Sequence, residues 1–239
     1  MNLVQHFLTK NPCYKANIEK ADQRYIDFQK NGPQGGVLHS VGCAQPSATV
    51  FLTNWDKETY DRACVHGFID ANDGTVYQTL PWNFRGWHAG GSANNTHLGV
   101  EMCESKYIKY TGVLDKFEIL DKAKAQADAK RAYESAVELF AMLAKMWNWD
   151  VDKDILSHKE AGKKGIASGH TDPEHYWSQL GLSYTMDTFR EAVKAKMSPG
   201  NYIYRVQVGA FTNKKYADAY LKEVQKSFPN AYITRYEKN

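Results

Sequence analysis

Two histidines and one aspartate that lie far apart in the chain have the residue types of a hydrolytic zinc site. They are His39 in the segment Val-Leu-His-Ser, His158 in Ser-His-Lys-Glu and Asp172 in Gly-His-Thr-Asp-Pro. Two imidazoles and one carboxylate fill three tetrahedral positions on Zn²⁺ and leave the fourth for water, as hydrolysis requires. The spacing alone also fits a core histidine, a surface histidine and a turn aspartate, so both interpretations stay open at this point.

The local sequence around His39 and Asp172 favours the zinc interpretation. His39 ends an apolar run that follows Gly35-Gly36, so we expect it where a buried strand enters a loop. Asp172 precedes Pro173, which keeps the aspartate extended and outside a helix. Both side chains are then available to converge on a metal.

Composition indicates a globular chain and argues against nucleic acid as a partner. The 239 residues are 43% hydrophobic and 24% charged, which fits one large domain with room for a small second one. The net charge of +3 is too small to indicate nucleic-acid binding, and the sequence has no cluster of lysine and arginine. No apolar stretch is long enough to cross a bilayer, so we expect no membrane insertion.

The four cysteines of the chain are not spaced as a disulfide framework or a Cys-x-x-Cys motif. We therefore expect free thiols and a reducing compartment. Cys43 follows His39 closely and raises the alternative of a cysteine hydrolase, but its loop, Gly-Cys-Ala-Gln-Pro, lacks the helix N-terminus that usually activates a thiolate. The start of the chain has no basic region followed by an apolar run, so we expect no signal peptide.

The pattern of apolar residues predicts an α/β domain with a mixed central sheet flanked by helices. Strands are predicted at 36–40, 63–70, 75–78 and 98–103, and a long helix at about 121–147. The second and third strands form a hairpin through Asn72-Asp73-Gly74, a strong turn signal. Along the helix, apolar residues recur at steps of three and four, which is typical of a helix packed on a core.

Helix breakers at 198–201 predict a linker between a large domain, residues 1–197, and a small one, residues 202–239. The small domain has a β-α-β pattern, with a strand at 202–211, a helix at 214–228 and a strand at 231–236. A module of about forty residues with two strands cannot bury an adequate core alone. It therefore packs on the large domain or pairs with a second copy. We favour a homodimer through residues 202–239, because pairing satisfies both open strand edges.

The large domain resembles the type 2 zinc-dependent N-acetylmuramoyl-L-alanine amidases, whose fold is shared with peptidoglycan recognition proteins. The matching segments occur in the family's order at 37–42, 73–78, 86–90, 98–101, 157–160 and 171–173. The phage endolysins and autolysins of Gram-positive bacteria have the most similar motifs. The resemblance implies a Zn²⁺ cofactor held by His39, His158 and Asp172, and bacterial peptidoglycan as the substrate.

Two further residues are predicted to act in catalysis. Glu101 lies in an apolar strand at the position of the family's catalytic glutamate, so we expect it to be the general base, although strand alternation also allows it to point to solvent. His170 stands where many family members carry lysine or arginine, and an imidazole there can donate a hydrogen bond to the developing oxyanion. His170 could instead be a rival metal ligand or a residue that orients Asp172. Nearby Glu104 is predicted to be solvated.

The predicted substrate contacts come from the hairpin and from the Gly-rich segment that follows it. Aromatic faces pack on sugar rings and amides bind peptide backbone, while the alternative for each residue is a structural role in the core. The predicted contacts are His66, Trp82, Trp87, His88 and Asn95.

The segment 202–239 resembles the first half of a SPOR repeat, a module that binds peptidoglycan, through its opening Arg-Val-Gln-Val-Gly-Ala-Phe. Together the two resemblances predict a modular enzyme that is made in the bacterial cytoplasm and reaches the cell wall after release through a holin or by lysis. A non-catalytic recognition protein on the same fold is the main alternative, and such proteins usually lack the third metal ligand. A cytoplasmic recycling amidase is a second alternative, which the wall-binding tail disfavours.

Overall fold

The computed structural model describes residues 1–198, 209–228, 231 and 233. The chain divides into two compact units, Met1–Ser198 and Pro199–Asn239. Within the described part of the chain, no helix has both the length and the apolar character needed to span a bilayer.

The first unit alternates short strands with helices. Its strands are β1 Leu3–Gln5, β2 Gly35–Ser40, β3 Gly67–Ile69, β4 Val76–Gln78, β5 His97–Met102, β6 Ile108–Tyr110, β7 Phe117–Ile119 and β8 Ile155–Ser157. Its α-helices are α1 Pro12–Glu19, α2 Gln23–Asn31, α3 Ala48–Trp55, α4 Lys122–Trp147, α5 Val151–Asp154, α6 His158–Lys163, α7 Glu174–Gln179 and α8 Met186–Met197, and Ser92–Asn95 forms a 3₁₀ turn.

Six of these strands form one mixed sheet in the order β1-β4-β3-β5-β2-β8. β3 and β4 are antiparallel, while β5, β2 and β8 are parallel neighbours. All six residues of β2 are buried, as expected for a central parallel strand with both faces covered. The predicted α/β fold with a mixed central sheet is therefore confirmed.

The long helix α4 covers one face of the sheet. Asp121 caps its N-terminus by accepting a hydrogen bond from the backbone N–H of Lys124, and Asn148 ends it in the left-handed conformation. Its apolar face buries Phe140, whose ring packs edge-on against Phe189 of α8 with ring centroids 5.4 Å apart. The predicted helix at 121–147 is confirmed because its apolar stripe faces the largest core cluster.

The predicted hairpin between β3 and β4 is also confirmed. The Asp70 side chain accepts a hydrogen bond from the backbone N–H of Asn72 at 2.8 Å. Gly74 has φ +78°, a conformation that favours glycine, and its N–H donates to the Asp70 carbonyl. The turn therefore closes where the sequence places Asn-Asp-Gly.

In the second unit the structure describes helix α9, Lys214–Ser227, capped by the Asn213 side chain. This agrees with the helix predicted at 214–228. The predicted strands at 202–211 and 231–236 lie almost entirely outside the described residues. Pairing of two copies through 202–239, and the assignment of separate roles to the two domains, therefore stay predictions.

Candidate metal and catalytic site

The carboxyl ends of three neighbouring parallel strands bring together residues that are distant in sequence. His39 of β2 is the register partner of Glu101 of β5, so these two side chains leave the same face of the sheet. On the other side of β2, Leu38 pairs with Ser157 of β8, which places His158 beside His39. Crevices at the carboxyl ends of strands are common ligand sites in α/β sheets.

Asp172 reaches the same point from the loop between α6 and α7. The backbone carbonyl of Asp172 accepts a hydrogen bond from the Lys159 N–H at 3.3 Å. The hydroxyl of its neighbour Thr171 donates to Asp115 Oδ2, in the turn between β6 and β7, at 2.6 Å. The loop is thus held from two sides, and both contacts limit how far the Asp172 carboxylate can move.

His39, His158 and Asp172 have the spacing of a tetrahedral metal site. The two Nδ1 atoms lie 3.1 Å apart, and Asp172 oxygens lie 3.1 Å from His39 Nδ1 and 3.4 Å from His158 Nδ1. With zinc bonds of about 2.0–2.1 Å, adjacent tetrahedral ligand atoms are about 3.3 Å apart. All three residues are buried, at 1%, 5% and 8% exposure, so the donors are shielded from bulk water. This donor set therefore fits Zn²⁺.

The electrostatics of His39 and Asp172 suit metal binding. Burial lowers the pKa of His39, which keeps the imidazole neutral with a free lone pair. Burial also acts to raise the pKa of Asp172, but the neighbouring His158 and His39 outweigh it and hold that pKa well below its usual range. A neutral imidazole and an ionised carboxylate are the forms in which these residues bind metals.

Glu101 presents a buried carboxyl oxygen to this site. Its Oε2 atom is buried and has no hydrogen-bond partner among the described residues. Burial, together with the charges of Asp172 and Glu104, raises the pKa of the Glu101 carboxyl well above its ordinary value. A carboxylate with a raised pKa binds a proton more strongly, which is the property of a general base. The alternative of a solvent-pointing strand glutamate does not fit this burial.

His170 lies next to the metal-ligand group and is open to solvent. Its ring stacks on that of His158, with centroids 4.3 Å apart and an interplanar angle of 22°. His170 Nδ1 is 3.9 Å from Asp172 Oδ1, and 56% of its side chain is exposed. This separation is longer than a hydrogen bond, so no bond holds His170 to Asp172. Because the His170 ring is exposed beside the site, it is accessible for a hydrogen bond to a substrate carbonyl.

The prediction that Glu104 is solvated is wrong. Glu104 is fully buried, and its carboxylate accepts hydrogen bonds from the Tyr110 hydroxyl at 2.7 Å and from the Gly42 N–H at 3.2 Å. Since Tyr110 donates to Glu104, its oxygen is left to accept from His175 Nε2 at 2.9 Å. The chain folds back after β5, which buries a residue whose place at the end of the strand alone suggests exposure to solvent.

We expect Glu104 to make stability depend on pH. Burial raises the pKa of Glu104 from 4.5 to about 7, so ionisation costs the folded state more than the unfolded one. The free energy of unfolding should fall as pH rises from about 4.5 to 7, by up to about 3 kcal/mol, and level off above. Urea unfolding of zinc-free protein between pH 5 and 8 measures this slope, and Glu104→Gln should flatten it.

Glu58→Gln is the matched control for this measurement, because the Glu58 side chain is 73% exposed. It should leave the slope unchanged. Some slope should persist in Glu104→Gln, since the pKa of Glu101 is raised in the same direction. A Glu104→Gln protein with the same slope as the wild type would contradict the assignment.

The structure assigns His66 to the core and corrects its prediction as a substrate contact. His66 is fully buried; Nε2 donates to the Phe84 carbonyl at 2.7 Å and Nδ1 accepts from the Gly99 N–H at 3.0 Å. Burial lowers the pKa of His66 to about 4. Both ring nitrogens are already bonded to backbone, so neither is left for a ligand.

The other predicted substrate contacts are half-buried and have internal partners. Trp82 packs against the main core. The Trp87 indole N–H donates to the Tyr25 hydroxyl at 3.0 Å, and the Asn95 side chain accepts from Arg85 Nε at 2.8 Å. These contacts indicate that Trp82, Trp87 and Asn95 contribute to the structure. Contact of these three residues with substrate stays a prediction. His88 differs from them because it touches the metal-ligand group, with Nδ1 3.0 Å from His39 Nε2.

Cys43 does not have the properties of a catalytic nucleophile. Partial desolvation of its thiol, with Glu104 and Glu101 nearby, raises the pKa of that thiol to about 11. The thiolate, which is the nucleophilic form, is therefore scarce near neutral pH. The structure gives no support to a cysteine hydrolase.

Comparison with known sequences finds matches to two family models along this chain. Residues 29–175 match the N-acetylmuramoyl-L-alanine amidase family, and residues 174–239 match the SPOR domain. Over 69 residues the chain is 38% identical to N-acetylmuramoyl-L-alanine amidase XlyA of Bacillus subtilis (strain 168), a match that covers 28% of this chain. It spans only about a fifth, 21%, of the length of that curated relative.

Solved structures share the fold at low sequence identity. The Staphylococcus aureus hydrolase AmiA, in complex with its ligand, superposes with a TM-score of 0.60 at 16% identity, covering 82% of this chain and 83% of AmiA. The PlyG catalytic domain matches with a TM-score of 0.52 at 16% identity, covering 85% of this chain and 100% of that domain. At such identities the likeness establishes the architecture.

The match to the first of the two families extends over more than half of the chain and includes His39, Glu101, His158 and Asp172. The mixed sheet and the buried His-His-Asp group lie within the same region. The chain therefore belongs to the N-acetylmuramoyl-L-alanine amidase family.

Proposed function

We propose that this chain is a zinc-dependent hydrolase that cleaves the amide bond between N-acetylmuramic acid and L-alanine in bacterial peptidoglycan. The observation that carries the proposal is the buried group of His39, His158 and Asp172 with Glu101 on the neighbouring strand. Non-catalytic recognition proteins usually lack the third metal ligand, and Asp172 is present here. Endolysins and autolysins, which act on the cell wall, are the corresponding class of enzyme.

The three ligand residues would hold Zn²⁺ through two imidazole nitrogens and a carboxylate oxygen. Zinc in such a site supplies a water molecule whose pKa is lowered towards about 7 and polarises a carbonyl group. Glu101 accepts a proton from the attacking water, since its carboxyl is buried beside the site and has a raised pKa. The same carboxyl then delivers that proton to the departing amine nitrogen of L-alanine.

His170 acts on the substrate carbonyl. Its exposed ring, stacked on His158, donates a hydrogen bond to the oxygen that gains negative charge during attack. Stacking on His158 fixes the plane of the His170 ring, so the side chain loses less conformational entropy when the substrate binds. The acceptor of this hydrogen bond is the lactyl carbonyl oxygen of N-acetylmuramic acid.

We expect His170→Ala to lower kcat by about 10²- to 10³-fold, the typical cost of removing one oxyanion donor. Zinc content should stay near one ion per chain, because His170 is not among the three ligands. Steady-state cleavage and metal analysis on the same preparation measure both quantities. His170→Lys, which keeps a hydrogen-bond donor at this position, should recover part of the rate. Loss of zinc from His170→Ala would make His170 a ligand and contradict this role.

The segment 202–239 would target the enzyme to the wall or pair two chains. The match of residues 174–239 to the SPOR domain supports peptidoglycan binding by this part of the chain. We place the boundary of the catalytic domain at residues 198–201, next to the division between the two compact units. Sedimentation of the full chain and of residues 1–198 tests pairing, since only the full chain should dimerise.

Purified peptidoglycan provides the direct test of the function. The metal is removed with a chelator and then restored as zinc, and the released products are analysed. The proposal expects zinc-dependent release of peptides with a new L-alanine amino terminus and no new reducing sugar ends. Wall binding without cleavage in the presence of zinc would identify a recognition protein. New reducing ends would identify a glycosidase.

A further inference from the structure

His88 and Ser168 each contact one of the two histidines of the proposed zinc site, on the side away from Asp172. His88 Nδ1 lies 3.0 Å from His39 Nε2, and the Ser168 hydroxyl lies 3.2 Å from His158 Nε2. We infer that His88 and Ser168 are positioning residues that fix both histidines in the tautomer whose Nδ1 lone pair faces the metal. This inference rests on the proposed zinc site.

For a neutral His39, the contacts of His88 decide which ring nitrogen carries the proton. His88 Nε2 lies 2.9 Å from the backbone carbonyl of His97. A carbonyl only accepts, so His88 carries its proton on Nε2 and its neutral Nδ1 is an acceptor. His39 Nε2 must then donate to His88, so a neutral His39 has no proton on Nδ1, the atom that lies 3.1 Å from Asp172 Oδ2.

The contacts of His158 lead to the same result through a different group. The Ser168 hydroxyl lies 3.2 Å from the backbone carbonyl of Ala89 and donates to it. The hydroxyl oxygen then accepts from His158 Nε2–H, so His158 Nδ1 also lacks a proton. The two bare Nδ1 atoms face each other at 3.1 Å. These two lone pairs and the Asp172 carboxylate, whose oxygens lie 3.1 and 3.4 Å from them, repel one another, and a bound cation removes the repulsion.

The contacts that orient His39 and His158 both depend on one short segment, His88-Ala89. His88 contacts His39 directly, and the Ala89 carbonyl accepts from the Ser168 hydroxyl. The Asn94 side-chain oxygen accepts from the N–H groups of His88 and Ala89, each at 2.9 Å. On β5, a Cβ at Gly99 would lie 2.3 Å from the His88 ring, so only glycine leaves room for that ring. Asn94 and Gly99 therefore set the position from which this segment orients both metal histidines.

The test compares zinc affinity in variants that differ only in the acceptor group. His88→Leu and His88→Asn have side chains of nearly equal size, but only asparagine offers an oxygen close to the place of His88 Nδ1. We expect zinc binding, measured by competition with a chromogenic chelator, to weaken by about 10- to 100-fold in His88→Leu and in Ser168→Ala. His88→Asn should recover much of the affinity. Ser183→Ala, which removes an exposed hydroxyl, should bind zinc as the wild type does.

Long-range ¹H–¹⁵N spectra of histidine-labelled, zinc-free protein report the tautomers directly. In the wild type, His39 and His158 should be protonated on Nε2, and the His39 Nδ1–H form should appear in His88→Leu. His66, whose Nε2–H is fixed by Phe84, serves as a reference that each variant is folded. Nδ1–H forms of His39 and His158 in the wild type, or equal zinc affinity in His88→Leu and His88→Asn, would overturn the inference. Neither readout involves peptidoglycan, so a protein with the expected tautomers that fails to cleave would contradict only the proposed function.

Discussion

Glu101→Gln should lower kcat by about 10²- to 10⁴-fold while the protein remains folded and binds zinc. Glutamine has nearly the shape of glutamate but cannot accept the proton of the attacking water or return it to the amine. The buried Oε2 atom of Glu101 has no partner among the described residues, so the substitution breaks no hydrogen bond that the structure shows. We also expect stability to rise slightly near neutral pH, because a carboxyl with a raised pKa is costly to ionise in place.

The measurement is steady-state release of L-alanine-terminated peptide at saturating zinc, together with metal content and urea unfolding. Glu118→Gln is the matched control, since Glu118 is an exposed strand glutamate on β7. It should leave the rate unchanged. If Glu101→Gln retained a rate within a few-fold of the wild type, the general base would have to be another group, and Glu104, buried nearby, would be the next candidate.

The fold could be predicted from sequence because its strongest signals are local. The apolar stripe of α4 and the Asn-Asp-Gly turn depend on residues close together in the chain, and both are present where expected. Strand β2 was recognisable as a buried apolar run. Pairing of β2 with β5 and β8 depends on contacts between distant segments. No periodicity encodes those contacts, so sequence order alone did not reveal the register that sets His39 beside Glu101.

Residue types and family resemblance predict the three candidate metal donors, and the structure brings these side chains together. The residues around them were harder to predict. Ser168 lies in a Gly-rich loop where a serine has no distinctive pattern, and its contact with His158 arises only after folding. The predictions for His66 and Glu104 depend on position along a strand, whereas neighbouring segments that pack over these two residues decide that they are buried in the core.

Asp172→Ala should abolish both zinc retention and cleavage. The carboxylate is the only negatively charged member of the donor group, and the two neutral imidazoles that remain hold a divalent cation much less strongly. Loss of a residue that merely orients a ligand typically costs about 10- to 100-fold in metal affinity, so loss of a ligand itself should exceed about 100-fold. Cleavage should fall to the level of chelator-treated wild type, because without the metal neither the nucleophile nor the carbonyl is activated.

Zinc content after dialysis and chelator competition measures the first effect, and peptide release measures the second. Asp61→Ala, at an exposed position, is the control and should match the wild type in both. Asp172→Glu retains a carboxylate and should bind zinc more tightly than Asp172→Ala, although its longer side chain displaces the oxygen from a loop held by Lys159 and Asp115. If Asp172→Ala kept one zinc per chain and cleaved at the wild-type rate, the third ligand would have to be a different residue. His170, whose ring stacks on His158, would then be the residue to test.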